Sequence, residues 1–163
     1  MLAYYMKEKA YAILEELKIP YEKFEHPPLF TCEDAKKHRP NCDFLDVKNL
    51  FVRNKNKSNL YLVVIPADKR ADLQAIRELL QETKLCFAES ELLAEKLKVT
   101  QGAVSILCVA NLDNSDVTVL IDSQILEAKK VGFHPSINTE TLVFATSAIP
   151  IILNHAKVNW KII

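Results

Sequence analysis

At 163 residues, 49% of them apolar, the chain has the size and composition of one domain (1–163) with a real core and too little length for two. Its 21 acidic and 21 basic residues cancel, which excludes a general nucleic-acid binder held by a strong overall field but leaves room for a local basic patch. The four cysteines (Cys32, Cys42, Cys86, Cys108) form no C-x-x-C pair, no apolar run is long enough to span a bilayer, and the N-terminus meets charge too soon for a signal peptide, so the expectation is a cytoplasmic protein with reduced thiols, no metal and no membrane partner.

In chain order, apolar residues at Met6, Ala10, Ile13, Leu14 and Leu17 predict a helix over 6–17 with one buried stripe, ended by Ile19-Pro20. Tyr21 to Phe24 alternates as a short strand, and His26-Pro27-Pro28 breaks it. Thr31, ahead of Glu33-Asp34, reads as the N-cap of a short second helix ending near Lys37. Arg39 to Asp46 contains Pro40 and has no clean period, so a loop is expected. Val47–Arg53 and Leu60–Pro66 predict a hairpin across a polar turn at 54–59. The second of these strands is apolar throughout, which predicts cover on both faces.

Asp72 opens a helix over 73–80 with Leu73, Ile76, Leu79 and Leu80 inward, and Leu85-Cys86-Phe87 is a short strand. Ser90 is the expected cap of a helix over 91–98, with Leu92, Leu93 and Leu97 on one face. Ile106–Ala110 and Val117–Ile121 are expected as strands joined by a polar turn at 111–116. A helical turn at 123–126, strands at 131–133 and 141–145, a helix over 149–155 and a closing strand over 160–163 complete the chain. Strands in hairpins rather than strict alternation with helices predict an α+β fold, with a mixed, largely antiparallel sheet flanked by helices.

Five stretches stand out as candidate chemistry. In the first predicted hairpin strand, alternation puts Lys48 with Leu50 and Val52 on one face, against Val47, Asn49, Phe51 and Arg53 on the other. A lysine among apolar neighbours either snorkels at a sheet edge or holds an anion. Asp68-Lys69-Arg70 has the form of a solvated turn. His26-Pro27-Pro28-Leu29-Phe30-Thr31 has that of a stiff one. The two glycines of the chain lie in Val99-Thr100-Gln101-Gly102-Ala103-Val104-Ser105 and in Val131-Gly132-Phe133-His134-Pro135, where bare backbone admits positive φ or the close approach of a ligand. No nucleophile elbow, phosphate loop, metal triad or dinucleotide fingerprint is present.

These stretches, together with Lys48-Asn49-Leu50-Phe51-Val52-Arg53 and Tyr61-Leu62-Val63-Val64, occur in the order in which they occur in the prolyl-tRNA synthetase-associated editing domain family, the YbaK-like deacylases. The chain most resembles the free-standing Ala-tRNA(Pro) deacylase branch, over nearly its whole length. Ile106-Leu107-Cys108 and 39–43 depart from the pattern of many relatives. The resemblance implies hydrolysis of the ester between a wrongly attached amino acid and the terminal ribose of tRNA(Pro), with alanyl-tRNA(Pro) as substrate and no cofactor.

It also implies roles. Lys48 would hold the phosphate or ribose end. The backbone of the Gly132 loop, with His134 nearby, would place the aminoacyl group and the water. Gly102 would form the opposite wall, its missing Cβ leaving room for substrate. Phe30, Thr31, Asn49, Ser105, Phe133, Pro135 and Asn138 are the implied substrate-binding residues. Lys36, Lys37, Arg39, Arg53, Lys55, Lys57, Lys129 and Lys130 are candidates for a patch that meets the acceptor end. Two alternatives stay open at this point: a deacylase for cysteinyl-tRNA(Pro) or another small residue, and a non-catalytic module that senses aminoacyl-tRNA. Oligomeric state is not readable from the chain.

Overall fold

The computed structural model describes residues 1–38, 43–110 and 116–163. Within them eight strands form one mixed sheet: β1 (Glu22–Glu25), β2 (Leu45–Asn54), β3 (Leu60–Pro66), β4 (Leu85–Phe87), β5 (Val117–Ile121), β6 (Lys130–Phe133), β7 (Glu140–Ala145) and β8 (Trp160–Ile162). Seven helices flank it: α1 (Leu2–Glu16), α2 (Cys32–His38), α3 (Leu73–Leu79), α4 (Ser90–Lys96), α5 (Ile106–Val109), α6 (Ser123–Glu127) and α7 (Ala148–His155). The strand order is β1-β7-β6-β2-β3-β5-β8, with β4 also paired to β2. The pairs β1–β7, β6–β7, β2–β3 and β2–β4 are antiparallel. The pairs β2–β6, β3–β5 and β5–β8 are parallel. None of the described helices is long and apolar enough to cross a membrane.

The all-apolar β3 is the spine. Its alternate residues Leu60, Leu62 and Val64 enter the larger core, with Met6, Ala10, Ile13 and Leu14 of α1, all of α5, and Ile149, Ile152 and Leu153 of α7. Tyr61, Val63 and Ile65 point the other way, into a smaller cluster with Val52, Ile76 and Leu120. Two covered faces explain why no polar residue interrupts the strand. The edge strand β1 is exposed along its length and carries Glu22, Lys23 and Glu25, which discourages pairing with another chain.

Buried or half-buried carboxylates tie the layers together. Glu140 accepts from Lys7 Nζ and from Tyr11 Oη, each at 2.6 Å, fixing α1 to β7. Glu82 accepts from Tyr61 Oη at 2.6 Å and from Asn59 Nδ2 at 2.6 Å, closing the turn after α3 onto the β2–β3 hairpin. Asp122 caps α6 through Gln124 N–H and takes Lys69 Nζ at 2.6 Å. That contact gives Lys69 of the Asp68-Lys69-Arg70 turn a structural place.

Several sequence expectations need correction. Residues 106–110 do not form a strand. Ile106–Val109 is one helical turn, α5, with the Ser105 hydroxyl accepting from Leu107 N–H at 3.2 Å and all four helical residues buried. A short apolar run is ambiguous between buried helix and buried strand, and here the capping serine decides. Leu79 is exposed rather than inward, and Ile76 alone on α3 is fully buried. Glu89, not Ser90, is the N-cap of α4. Of the loop expected over 39–46, Leu45 and Asp46 belong to β2, where they pair with β6, while 39–42 and most of the polar turn at 111–116 lie outside the described residues.

What positions the site is the left edge of β2. Its N-terminal end pairs with β6 through Leu45 and Asp46, and its C-terminal end pairs with β4 through Val52, Arg53 and Asn54. Between those two partners none of the described strands lies along this edge.

Candidate active site

A cavity of about 260 Å³ opens at that gap in the sheet. Three segments converge on it. The first is β2 from Asp46 to Leu50; the second is the stretch from Leu29 through the first turn of α2; the third is the Gly102 segment, with Gly132, His134 and Thr141 beyond it.

The entry to α2 is stiffened by a reciprocal cap. Thr31 Oγ1 accepts from Asp34 N–H at 3.0 Å, while Asp34 Oδ2 accepts from Thr31 N–H at 3.1 Å and from Phe30 N–H at 3.2 Å. The first of these is the cap expected from the sequence; the reciprocal pair is the capping-box arrangement. The Phe30 and Thr31 N–H bonds, led by that of Phe30, hold the Asp34 carboxyl below its usual range. Leu29 is buried and exchanges bonds with Asn138: its N–H donates to Asn138 O at 3.1 Å, and Asn138 Nδ2 donates to Leu29 O at 3.4 Å. Phe30 is thereby presented at the mouth with 74% of its surface exposed.

His134 joins two walls. Its Nδ1 lies 2.9 Å from the Gly102 carbonyl, which can only accept, so Nδ1 carries the proton. In the neutral ring Nε2 is then an acceptor. The backbone oxygen of the same residue accepts from the fully buried Ser105 hydroxyl at 2.7 Å. The His26 ring sits beside it, centroids 5.8 Å apart, with Nδ1 donating to Pro27 O and Nε2 accepting from Thr141 Oγ1, both at 2.9 Å.

Lys48 lies on the face of β2 expected from alternation, with Leu50 and Val52 packing on the smaller cluster. It lines the cavity and, among the described residues, has no ion pair or side-chain hydrogen bond. Asn49 beside it also lines the cavity, and its Oδ1 is buried with no partner.

Both glycines act differently from the expectation. Gly132 lies in β6, within the strand expected over 131–133. A Cβ there would lie 2.6 Å from Phe44 Cε2 and 2.9 Å from Thr141 Cγ2, so the position is glycine because its neighbours fill the space. The left-handed bend of this loop falls on Ser136, with φ of 62°. At Gly102 a Cβ would find only ordinary contacts near 3.7 Å, but φ is +89°, which L side chains rarely adopt. Backbone conformation, not room for a ligand, accounts for Gly102.

Of the residues singled out from sequence, Phe30, Thr31, Lys48, Asn49, Gly102, Gly132 and His134 meet at the cavity. Phe133, Pro135, Ser105 and Asn138 do not line it. Phe133 is a core side chain stacked on Phe144 at 5.7 Å, because the residue after Gly132 points to the opposite face of β6. Ser105 and Asn138 brace the walls from behind through the bonds above, and Pro135 is buried. Asp46, Cys32, Gln101 and Thr141 line the cavity without having been singled out. Period-two alternation along β2 places Asp46 on the Lys48 face and was the signal that could have found it.

Of the candidate basic patch, Lys36 and Lys37 are exposed in the last turn of α2. Arg53 and Lys57 are engaged with Glu89, Lys130 is engaged with Glu22 at 2.8 Å, and Arg39 lies outside the described residues. Among the described residues no three His, Cys, Asp or Glu side chains gather to hold a metal.

Comparison with known proteins places this geometry in context. The family model of the aminoacyl-tRNA editing domain matches residues 26–149. The chain is 38% identical over 140 residues to the prolyl-tRNA editing protein ProX of Acetoanaerobium sticklandii, covering 85% of each chain. It is 36% identical to the mouse (Mus musculus) prolyl-tRNA synthetase associated domain-containing protein 1, over 86% of this chain and 91% of that one. A crystal structure of a candidate trans-editing enzyme for prolyl tRNA synthetase superposes with a TM-score of 0.72 at 16% identity, over 96% of this chain and 94% of the other, a likeness of fold.

Proposed function

The chain belongs to the aminoacyl-tRNA editing domain family, and from that premise we propose that it is a trans-editing hydrolase that removes a misattached amino acid from tRNA(Pro), with alanyl-tRNA(Pro) as its substrate. The observation that carries this reading is Lys48. It is a cation without an anionic partner among the described residues, on the wall of a cavity sized for a small aminoacyl group and part of a ribose. A lysine so placed is completed by an anion from outside the chain, and the terminal phosphate of a tRNA supplies one.

The reaction is ester hydrolysis. Water adds to the acyl carbon, and the carbonyl π pair moves to oxygen. The tetrahedral intermediate then expels the ribose oxygen, which takes up the proton that water gives up. Lys48 holds the phosphate or ribose end. His134, oriented through Gly102, places the acyl group and the water against the opposite wall. The ribose hydroxyl next to the ester helps to position that water.

Selectivity for alanine has a physical rationale. A synthetase site built for proline gains only about 1–3 kcal/mol per methylene against a smaller residue, so a second site that admits what is small and hydrolyses it restores fidelity. The test is a deacylation assay on tRNA(Pro) carrying alanine, cysteine or proline. Alanine is expected to be released and proline retained. Preferential release of cysteine moves the substrate assignment, and binding of all three without turnover overturns the hydrolase.

A further inference from the structure

The middle of β2 presents main-chain groups without a partner among the described residues, and they face the site. In an antiparallel ladder, residues alternate between those that exchange both main-chain hydrogen bonds with the partner and those whose groups point the other way. Asn54 N–H donates to Asn59 O, and Ala67 N–H donates to Asp46 O. With the register Lys48↔Ile65, Leu50↔Val63 and Val52↔Tyr61, the groups directed at β3 therefore belong to Asp46, Lys48, Leu50, Val52 and Asn54. Those of Val47, Asn49 and Phe51 point to the opposite edge.

On that edge, Val47 adjoins the Asp46–Gly132 pairing with β6, and Phe51 O accepts from Ala88 N–H at 2.9 Å. Asn49 lies between. Neither its N–H nor its C=O has a partner among the described residues, and it lines the cavity. Its side-chain Oδ1 is a further buried atom without a partner. Native chains leave few such groups unmade, so a run of them on one residue calls for a ligand or solvent to complete it.

We propose that the aminoacyl group of the substrate docks as a single strand residue opposite Asn49. An aminoacyl ester, with its ammonium, Cα and carbonyl, has the same donor-to-acceptor spacing as one residue of a strand. Its ammonium donates to Asn49 C=O, and its ester carbonyl accepts from Asn49 N–H, the double exchange of a hydrogen-bonded antiparallel pair. As water adds and the π pair moves to the carbonyl oxygen, that N–H meets the growing negative charge, in a place fixed by the sheet before the substrate arrives. This rests on the aminoacyl-tRNA reading above and names the atoms that recognise the acyl group.

The test compares Asn49→Ala with the same protein carrying, at position 49, the α-hydroxy counterpart of alanine, which replaces the N–H by an ester oxygen. The replacement leaves no β2–β3 donor missing but makes the Lys48 carbonyl, which accepts from β3, a weaker ester acceptor, so the ester form should melt slightly lower and both proteins are assayed well below that transition. The ester form should lose about 10²-fold in kcat on alanyl-tRNA(Pro). In the second arm the unaltered protein is given lactyl-tRNA(Pro), which lacks the ammonium, and its KM should rise. Equal kcat in the two variants, or equal KM for alanyl and lactyl substrates, overturns the pairing. If the unaltered protein hydrolyses no aminoacyl-tRNA at all, the functional reading falls, and the pairing falls with it.

Discussion

His134 donates its ring Nδ1–H to the carbonyl of Gly102 across 2.9 Å, and so binds the loop after β6 to the segment before α5. The Ser105–His134 bond runs alongside. Two walls about thirty residues apart in the chain are thus joined, and a backbone carbonyl helps fix the ring's orientation. The arrangement suits a positioning residue.

That assignment separates two variants. His134→Ala should lower kcat/KM for aminoacyl-tRNA by about 10²-fold, because the wall it ties loses its register. In His134→Asn an amide N–H can replace the Nδ1 donor, and most of the activity and melting temperature should return. Steady-state kinetics and thermal denaturation on both variants check this; an asparagine variant as slow as the alanine one would show that the ring nitrogen itself takes part in proton transfer.

Lys48→Ala should fold with an unchanged melting temperature, since among the described residues Lys48 makes no ion pair that the substitution breaks. Hydrolysis should fall by at least about 10²-fold. Lys48→Arg should recover part of it, as the charge is kept while the compact ammonium is lost. Full activity in Lys48→Ala would remove Lys48 from the site.

Gly132→Ala tests a packing argument. The new methyl would meet the Phe44 ring at 2.6 Å, and overpacking of this kind costs about 1–3 kcal/mol. Both stability and activity should fall together, because Thr141, which must give way along with Phe44, lines the site. Phe44→Leu combined with Gly132→Ala should recover stability relative to the single variant in a denaturant titration. No recovery would place the strain in the backbone.

Acid stability has a named contributor. Hydrogen bonds from Arg53, at 3.1 Å from Nε to each carboxylate oxygen, hold the Glu89 carboxyl down to about 2. The folded state binds that proton less readily than the unfolded chain, so stability is present above the ordinary carboxylate range and is lost as pH falls towards 2. Glu89→Gln should flatten the melting temperature against pH in this window. Part of the slope should remain, from Glu82, Asp34 and Glu140, whose carboxyls are also held low. An unchanged profile would mean that the Arg53 contact is not kept in solution.

The buried Cys108 should be inert. Burial pushes its thiol up to about 12, and its Sγ donates to Ser105 O at 2.9 Å. Iodoacetamide at neutral pH, read by peptide mass mapping, should leave Cys108 unmodified in the folded protein and label it after unfolding. Cys32, half-buried at the cavity, should react in the native state.

Much of the fold was legible from local pattern. The stripe of Met6, Ala10, Ile13 and Leu14 gave α1, the uninterrupted Leu60–Pro66 gave a strand covered on both faces, and Thr31 ahead of Glu33-Asp34 gave the start of α2. These signals depend on residues within a few positions of one another, so tertiary contacts need only agree with them. The same holds for the face of β2 on which Lys48 sits, because side-chain alternation is a property of the strand itself.

Other features were decided by segments far apart in the chain. Ile106–Val109 reads as strand in the sequence, and is a helical turn because Ser105 caps it while bonding His134 across the site. Gly132 reads as bare backbone open to a ligand until Phe44 and Thr141 are found in the space of its Cβ. Phe133 belongs to the core because Phe144 lies across β6–β7 from it. Above all, the edge at Asn49 is left uncovered by the described strands because β6 leaves β2 early and β4 joins it late. Periodicity and capping determined which elements form and which way their side chains face. Which backbone groups remain without a partner, and where a missing Cβ is filled by a neighbour, depended on pairing between strands that the chain brings together only when it folds.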